Sequence, residues 1–460
     1  MYDLLLSRTI GASHVRRNLP CQDYGLIDQK EDYKVFVLSD GHGDINCIRS
    51  DRGAKFICET AGSILPTFVN SVKEDDNLKS LYDLDKNLLK QLSASIIGNW
   101  LYRIEADVDE DPITVESLRD IEANAGKQVK YANEYLNNIR CERAYGCTLI
   151  AGILTEDFLF LLQQGDGRCV LIDENGRISQ PIPWDDRCVG AMTTSCCDRD
   201  AIESIRYSIV DIRKSKPIAC FLSSDGVEDS YASIEAMYSF FYRKMIYASR
   251  NGAEALAEEL NNSLPDLSAE GSADDITICG IIDAQACVPY VEQFENYSKK
   301  IDLQDELRLT DDNIKSILTG GLYNHLRKEY ENAKTRLLSL EAEYEELCAT
   351  RDGVIHDIQL CVETENADPQ ITDIKSFVNY LLTRIKRVPV SSFQNNSIRL
   401  WVDKINKVLD RISQLEEEKE KAKQEVDRCR SDFEKLDLEY QGYCKTKTEI
   451  EKQISQLSSQ

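Results

Sequence analysis

Histidine is scarce in this chain of 460 residues, with four copies, and its 16 cysteines include no C-x-x-C pair. A structural zinc site, which is built from such ligands, has little support. Basic residues are outnumbered: 55 Lys and Arg stand against 80 Asp and Glu, a net charge of −25. Phosphate backbones are bound by Lys and Arg, so no nucleic-acid partner is expected. No run approaches the ~20 consecutive apolar residues that span a bilayer. Met1–Arg8 lacks the charged start and long apolar middle of an export signal. A soluble cytoplasmic protein without membrane contact is expected, its thiols reduced. Many cysteines (Cys58, Cys147, Cys169, Cys220, Cys279) lie inside apolar runs and read as small buried hydrophobes. Neither a phosphate-cradling Gly-x-x-x-x-Gly-Lys-Ser/Thr nor a Gly-x-Ser-x-Gly elbow occurs, which disfavours a nucleotide-driven motor and a serine hydrolase.

What is present divides into two patterns. The length predicts two or three domains, and 42% apolar residues suffice for a sizeable core. Residues 1 to about 285 mix strand-like and helical segments. Val35–Ser39, Thr148–Leu154, Phe158–Gln164, Cys169–Asp173, Ile205–Val210, Ile218–Ser223 and Ile276–Ile282 read as strands, and Asn175-Gly176 as a hairpin turn. Helices are predicted over 50–70, 80–107, 114–139, 233–249 and 252–263. Short strands at hairpin spacing between groups of helices indicate antiparallel sheets in an α+β domain.

After a helical linker at 286–322, apolar residues follow a seven-residue repeat from 323 to 460. One seam runs from Tyr323 through Leu337 and Val354 to Cys361; a second runs from Ile398 through Leu415 and Val426 to Leu457. Alternating steps of three and four specify a left-handed coiled coil. Pro369 and Pro389 break the chain on either side of a predicted helix, Ile371–Lys386, so the seams can fold back as an antiparallel hairpin. At ~1.5 Å per residue the second seam is about 90 Å long and the first about 58 Å, so the excess is expected to seek a protein partner or a second copy of the chain.

Three acidic dipeptides carry the chemistry. Asp40-Gly41 and Asp225-Gly226 each follow an apolar run, and Asp274-Asp275 precedes one. Each therefore sits where a strand meets a loop. Asp-Gly alone usually marks a turn. Three strand ends presenting carboxylates to one point, however, can hold hard divalent cations through oxygen. Two such cations neutralise a phosphomonoester and turn a water into a nucleophile.

The surrounding blocks are specific: Ser39-Asp40-Gly41-His42-Gly43, Ser223-Ser224-Asp225-Gly226 and Ser272-Ala273-Asp274-Asp275, with Cys21-Gln22-Asp23, Gly146-Cys147-Thr148 and Gly165-Asp166-Gly167 between or before them. In this order they resemble the metal-dependent protein serine/threonine phosphatases of type 2C, especially the bacterial branch, over residues 1 to about 285. The resemblance implies an antiparallel β-sandwich flanked by helices and two Mn²⁺ or Mg²⁺ ions at one edge of it. It implies that Asp40, Asp225, Asp274 and the Gly41 carbonyl hold the ions, with Asp23 behind them. It further implies that His42 protonates the leaving serine alkoxide. Asp275 stands where the family has Asn or Asp, and Trp184–Arg199 where it has a mobile flap.

Two departures stand out. Gln22 replaces a common Glu, and Asn18 occupies the position of the phosphate-gripping arginine, which leaves Arg16, Arg17 or Arg8 to reach the phosphate. Glu142 is a weaker candidate for a third metal site, and Asp166 reads as a turn former. The expected function is hydrolysis of phosphoserine and phosphothreonine in signalling proteins. The alternatives are a phosphoprotein-binding pseudophosphatase and a coiled-coil scaffold that the phosphatase domain regulates.

Overall fold

The computed structural model describes residues 1–74, 77–190, 192–364 and 396–458. The chain forms two compact units, Met1–Asp302 and Leu303–Gln460.

The first unit runs β1 (Asp3–Thr9), α1 (Ala12–Arg17), β2 (Tyr24–Gln29), β3 (Lys34–Ser39), α2 (Ser50–Glu74), α3 (Leu78–Tyr82), α4 (Lys86–Glu110), α5 (Val115–Ala125) and α6 (Ala132–Leu136). It continues through β4 (Leu149–Leu154), β5 (Phe158–Gln164), β6 (Arg168–Ile172), β7 (Ile178–Ser179), α7 (Ala201–Ser204), β8 (Arg206–Asp211) and β9 (Ala219–Ser223). It closes with α8 (Asp225–Glu228), α9 (Ile234–Asn251), α10 (Ala253–Glu270), β10 (Ile276–Ile282) and α11 (Ala284–Cys287), followed by α12 (Val291–Thr319).

The strands form two antiparallel five-stranded sheets, ordered β1-β10-β9-β6-β7 and β2-β3-β4-β5-β8. Side chains alternate across each strand. In β3, Phe36 and Leu38 point into the layer between the sheets, where they meet Leu159, Leu161, Cys220, Leu222 and Cys279. Val35 and Val37 point the other way, into a core roofed by α2 and α4. On the far sheet, Phe221 and Ile278 face α9 and α10 through Phe241, Met245 and Leu260. Both faces of the central strands are thus covered, which is why they read as continuous apolar runs. The result is the expected α+β fold: an antiparallel β-sandwich flanked by helices. Cys58, Cys147, Cys169, Cys220 and Cys279 are free and buried.

Three local features differ from expectation. The helix predicted over 114–139 breaks after Ala125, because Gly126 takes φ 63° and caps it. The one predicted over 80–107 breaks at Leu84 (φ 47°), and Asp85 starts α4 by accepting hydrogen bonds from the N–H groups of Asn87 and Leu88. Compact packing also continues past residue 285 to Asp302. There Phe294 is fully buried and stacks on Tyr242 at 4.2 Å between ring centroids.

The second unit contains the end of α12, then α13 (Leu322–Thr364) and α14 (Asn396–Ser458). The last two helices pair antiparallel: Tyr323 Oη donates to Asp437 at 2.7 Å, and Arg411 donates to Glu343 at 2.8 Å. Seam residues Ala333, Val354, Ile405, Ile412, Leu415 and Val426 are buried. Beyond the reach of α13, α14 meets α12: Lys447 Nζ lies 2.8 Å from Asp311, and Ile450 is buried. Part of the length expected to need another partner is therefore matched within the chain. Pro369, Pro389 and the helix predicted over 371–386 lie outside the described residues. Among the described residues, no helix is long and apolar enough to cross a membrane.

Candidate active site

Asp40 directly follows β3, Asp225 opens α8 just after β9, and Asp274 lies in the turn before β10. All three line one cavity of about 1110 Å³, together with Gly41, His42, Asp166 and Asp229. Hydrogen bonds fix these strand ends. Asp40 N–H donates to Thr148 Oγ1 at 3.0 Å, Thr148 N–H returns to Asp40 O at 2.8 Å, and Ser39 Oγ donates to Thr148 O at 2.5 Å. Ser224 N–H donates to Thr277 O at 3.0 Å, and Thr277 N–H donates to Ser224 Oγ at 2.9 Å, which ties β9 to β10 beneath Asp225. Gly41 is required sterically, since a Cβ there would stand 2.7 Å from Gln22 O and 2.8 Å from Ser50 O.

The electrostatics are those of crowded carboxylates. Burial pushes the Asp40 carboxyl well above its usual range, and Asp225 and Asp23 push it further. Burial also raises Asp225; contact with Asp40 offsets this in part, while Asp166 and Asp274 add to it. Asp23 lies behind them, 2% exposed, close enough to Thr277 and Ser224 for these to lower its carboxyl in part, but without a well-formed hydrogen bond to either carboxylate oxygen. Its carboxyl is raised by burial first and by Asp275 second. Gln22 Oε1 is likewise buried without a partner. Among the described residues, no three Asp, Glu, His or Cys side chains already close around one point as a metal cage. The donor set nevertheless fits hard divalent cations: every group is an oxygen, the carboxylates repel one another, and three buried oxygens of Gln22 and Asp23 are orphaned.

His42 packs beside this wall, with its Nε2 2.8 Å from Ser195 Oγ and its backbone N–H on Gly146 O at 3.1 Å. Burial lowers its pKa, against the opposing pull of Asp166, Asp198 and Asp44. Ser195 belongs to the segment 184–199 expected as a flap. That segment is pinned at one end by Arg187, which reaches Asp185 at 2.8 Å and Asp200 at 2.9 Å. Thr194 Oγ1 also accepts the Gly165 N–H at 3.2 Å. Its tip is open: Val189 is 60% and Met192 65% exposed.

Arg16 and Arg17 do not line the cavity. Both are exposed, and Arg17 turns back to donate to Ser13 O and Oγ, each at 3.2 Å. Arg8 donates to the Asp23 carbonyl at 3.0 Å. The arginines that do line the cavity are Arg140, Arg143, Arg187 and Arg199. Glu142 is engaged by Arg140 at 2.7 Å. Asp275 faces away from the cavity. It is 3% exposed and accepts the N–H groups of Gly11 at 2.5 Å and Gln22 at 2.6 Å, with His14 Nδ1 at 3.0 Å. Burial alone would raise its carboxyl, but His14 and the two N–H groups hold it below the usual range. It is a strut that fastens residues 11–22 to the Asp274 turn. His14, half of that strut, carried no sequence signal, being a lone histidine in a short helix.

A family model described as "Protein phosphatase 2C" matches residues 10–264. Among solved structures, a bacterial serine phosphatase is 15% identical, covering 62% of this chain and 98% of its own, with a TM-score of 0.37. Stp1 of Staphylococcus aureus is 14% identical over 62% of this chain and 95% of its own, with a TM-score of 0.37. The serine/threonine phosphatase PstP of Mycobacterium tuberculosis is 14% identical over 61% and 98%, with a TM-score of 0.34. No curated protein matches. The family match spans more than half of the chain and takes in the segments that bear Asp23, Asp40, His42 and Asp225, so this chain belongs to the protein phosphatase 2C family.

Proposed function

We propose that the chain is a metal-dependent phosphatase acting on phosphoserine and phosphothreonine in proteins. The observation that carries this reading is the meeting of Asp40, Asp225 and Asp274, from three distant strand ends, in one cavity beside His42. These carboxylates and the Gly41 carbonyl would hold two Mn²⁺ or Mg²⁺ ions. Such a pair supplies the positive charge that a phosphomonoester dianion needs and acidifies a water.

The rest falls to the protein. Asp23, buried behind Asp40, would hold a water of the site through its carboxyl oxygens. The serine or threonine alkoxide leaves only if protonated, and His42 Nε2, oriented by Ser195 Oγ at 2.8 Å, is the donor. Burial lowers the pKa of that ring, which makes its protonated form a stronger acid. The flap residues Thr193 and Thr194 line the same cavity.

The test is phosphate release from phosphoserine and phosphothreonine peptides with Mn²⁺ or Mg²⁺. Release that EDTA stops and that Asp225→Asn lacks is expected. A folded protein that releases nothing with either metal would overturn the proposal and leave a phosphoprotein-binding role.

A further inference from the structure

A second cavity, of about 460 Å³, adjoins the carboxylate cleft, and the two share Arg140, Cys197, Asp198 and Arg199 on their common rim. Its floor is aliphatic. Ile97, Ile104 and Val108 of α4 are buried there, while Leu101 and Ile202 are half-buried and still offer apolar surface. Its mouth carries the exposed carboxylates Glu105 and Asp109. On the shared rim the cations differ. Arg140 is paired with Glu142 at 2.7 Å; within the cleft, Arg143 is paired with Glu134 at 2.7 Å and Arg187 with Asp185 at 2.8 Å. Arg199 is exposed and, among the described residues, makes no ion pair or hydrogen bond. The carboxylates flanking it are already engaged: Asp198 accepts the Ser195 N–H at 2.8 Å, and Asp200 holds Arg187 at 2.9 Å.

Resting on the phosphatase reading, we propose that this cavity is the subsite for an aliphatic side chain of the substrate, one to three residues from the phosphorylated serine or threonine, with Arg199 at the junction holding the phosphate. An extended peptide advances ~3.5 Å per residue, so a chain anchored by its phosphate in the cleft delivers a neighbouring side chain to the adjoining space. The aliphatic floor favours Leu, Ile or Met there. The acidic mouth disfavours Asp and Glu by like-charge repulsion. A guanidinium whose flanking carboxylates are already engaged is free to take a phosphate oxygen pair.

The experiment measures kcat/KM of the full chain with Mn²⁺ on phosphopeptides carrying Leu, Ala or Glu at each flanking position, with p-nitrophenyl phosphate as the substrate too small to reach the second cavity. At one flanking position Leu should exceed Glu by roughly tenfold. The ratio of Leu-peptide to p-nitrophenyl phosphate activity, which is independent of the folded fraction, should fall by a similar factor in both Leu101→Glu and Ile202→Glu. Arg199→Ala should raise KM for both kinds of substrate with a smaller change in kcat, and Arg199→Lys should restore part of it. Equal rates for Leu, Ala and Glu at every position, or a Leu preference that survives both cavity variants, would overturn the inference while leaving the phosphatase reading intact. No turnover of any substrate would instead sink the reading on which it rests.

Discussion

The two units of this chain use charge in opposite ways. In the sandwich, carboxylates are crowded at strand ends, buried, and held in each other's repulsion: Asp23, Asp40 and Asp225 are all raised by burial and by neighbouring aspartates. In the helical unit, charges are exposed and paired, as in Arg411–Glu343 and Arg336–Glu425, and stability lies in the apolar seam beneath them. Exposed pairs of this kind contribute little, typically under ~1 kcal/mol. The contrast teaches where each unit can be damaged. Removing a carboxylate from the sandwich should cost function and spare the fold. Removing a seam residue from the hairpin should cost fold and spare function.

The largest effect expected is from metal removal: EDTA should reduce phosphate release to background, Mn²⁺ should restore it, and the melting of the helical unit should not move. Asp225→Asn should lower turnover by about 10³-fold or more, because it strips charge from the cation site. Its melting temperature should hold or rise, since it removes a carboxylate whose ionisation burial already penalises. A large loss of stability in that variant would mean the carboxylates are structural.

His42→Ala should slow hydrolysis of alkyl phosphates by ~10²-fold and of aryl phosphates much less, because an acidic leaving group needs no proton. Identical losses on both substrates would remove the general-acid assignment. On the other side of the comparison, Leu415→Ala should destabilise the α13–α14 pair by about 3 kcal/mol, read by helical melting, with p-nitrophenyl phosphate turnover unaltered.

The smallest effect should come from the flap anchor. Arg187 holds the Asp185 carboxyl at about 2 in the folded chain. A depressed folded pKa means stability that is present above the unfolded value near 4 and is lost as pH falls toward 2. Asp185→Asn should therefore be less stable than the parent by about 1 kcal/mol at pH 7, discounted for the half-exposed Arg187. That gap should close between about pH 4 and 2 in parallel thermal melts.

Legibility followed burial for most strands, although the half-buried edge strand β8 was readable too. The strands β3, β4, β5, β9 and β10 were readable because both their faces are covered and their sequences are unbroken apolar runs. The strands β1 and β2 were not: β2 is an edge strand with three exposed residues, and its Tyr-Gly-Leu-Ile-Asp-Gln carries no clear alternation. The Asp-Gly dipeptides were readable because a strand end and a turn leave a local mark. The arginines lining the cleft were not, because which guanidinium remains unpaired depends on how the loops pack, as where Arg187 reaches Asp200 and Arg143 reaches Glu134. Asp275 likewise stands next to a proposed ligand in sequence yet faces His14 in space.

What the sequence determined by itself is periodicity and punctuation: seven-residue seams, apolar strand runs, and glycines where only glycine fits. These are local, since each follows from the geometry of a few consecutive residues. Only the tertiary structure decided which carboxylates share a cavity, which are buried without partners, and which arginine is left over. The carboxylate cavity joins residues as far apart as Asp40 and Asp274, and pairing and desolvation are set by packing that no short stretch of chain specifies.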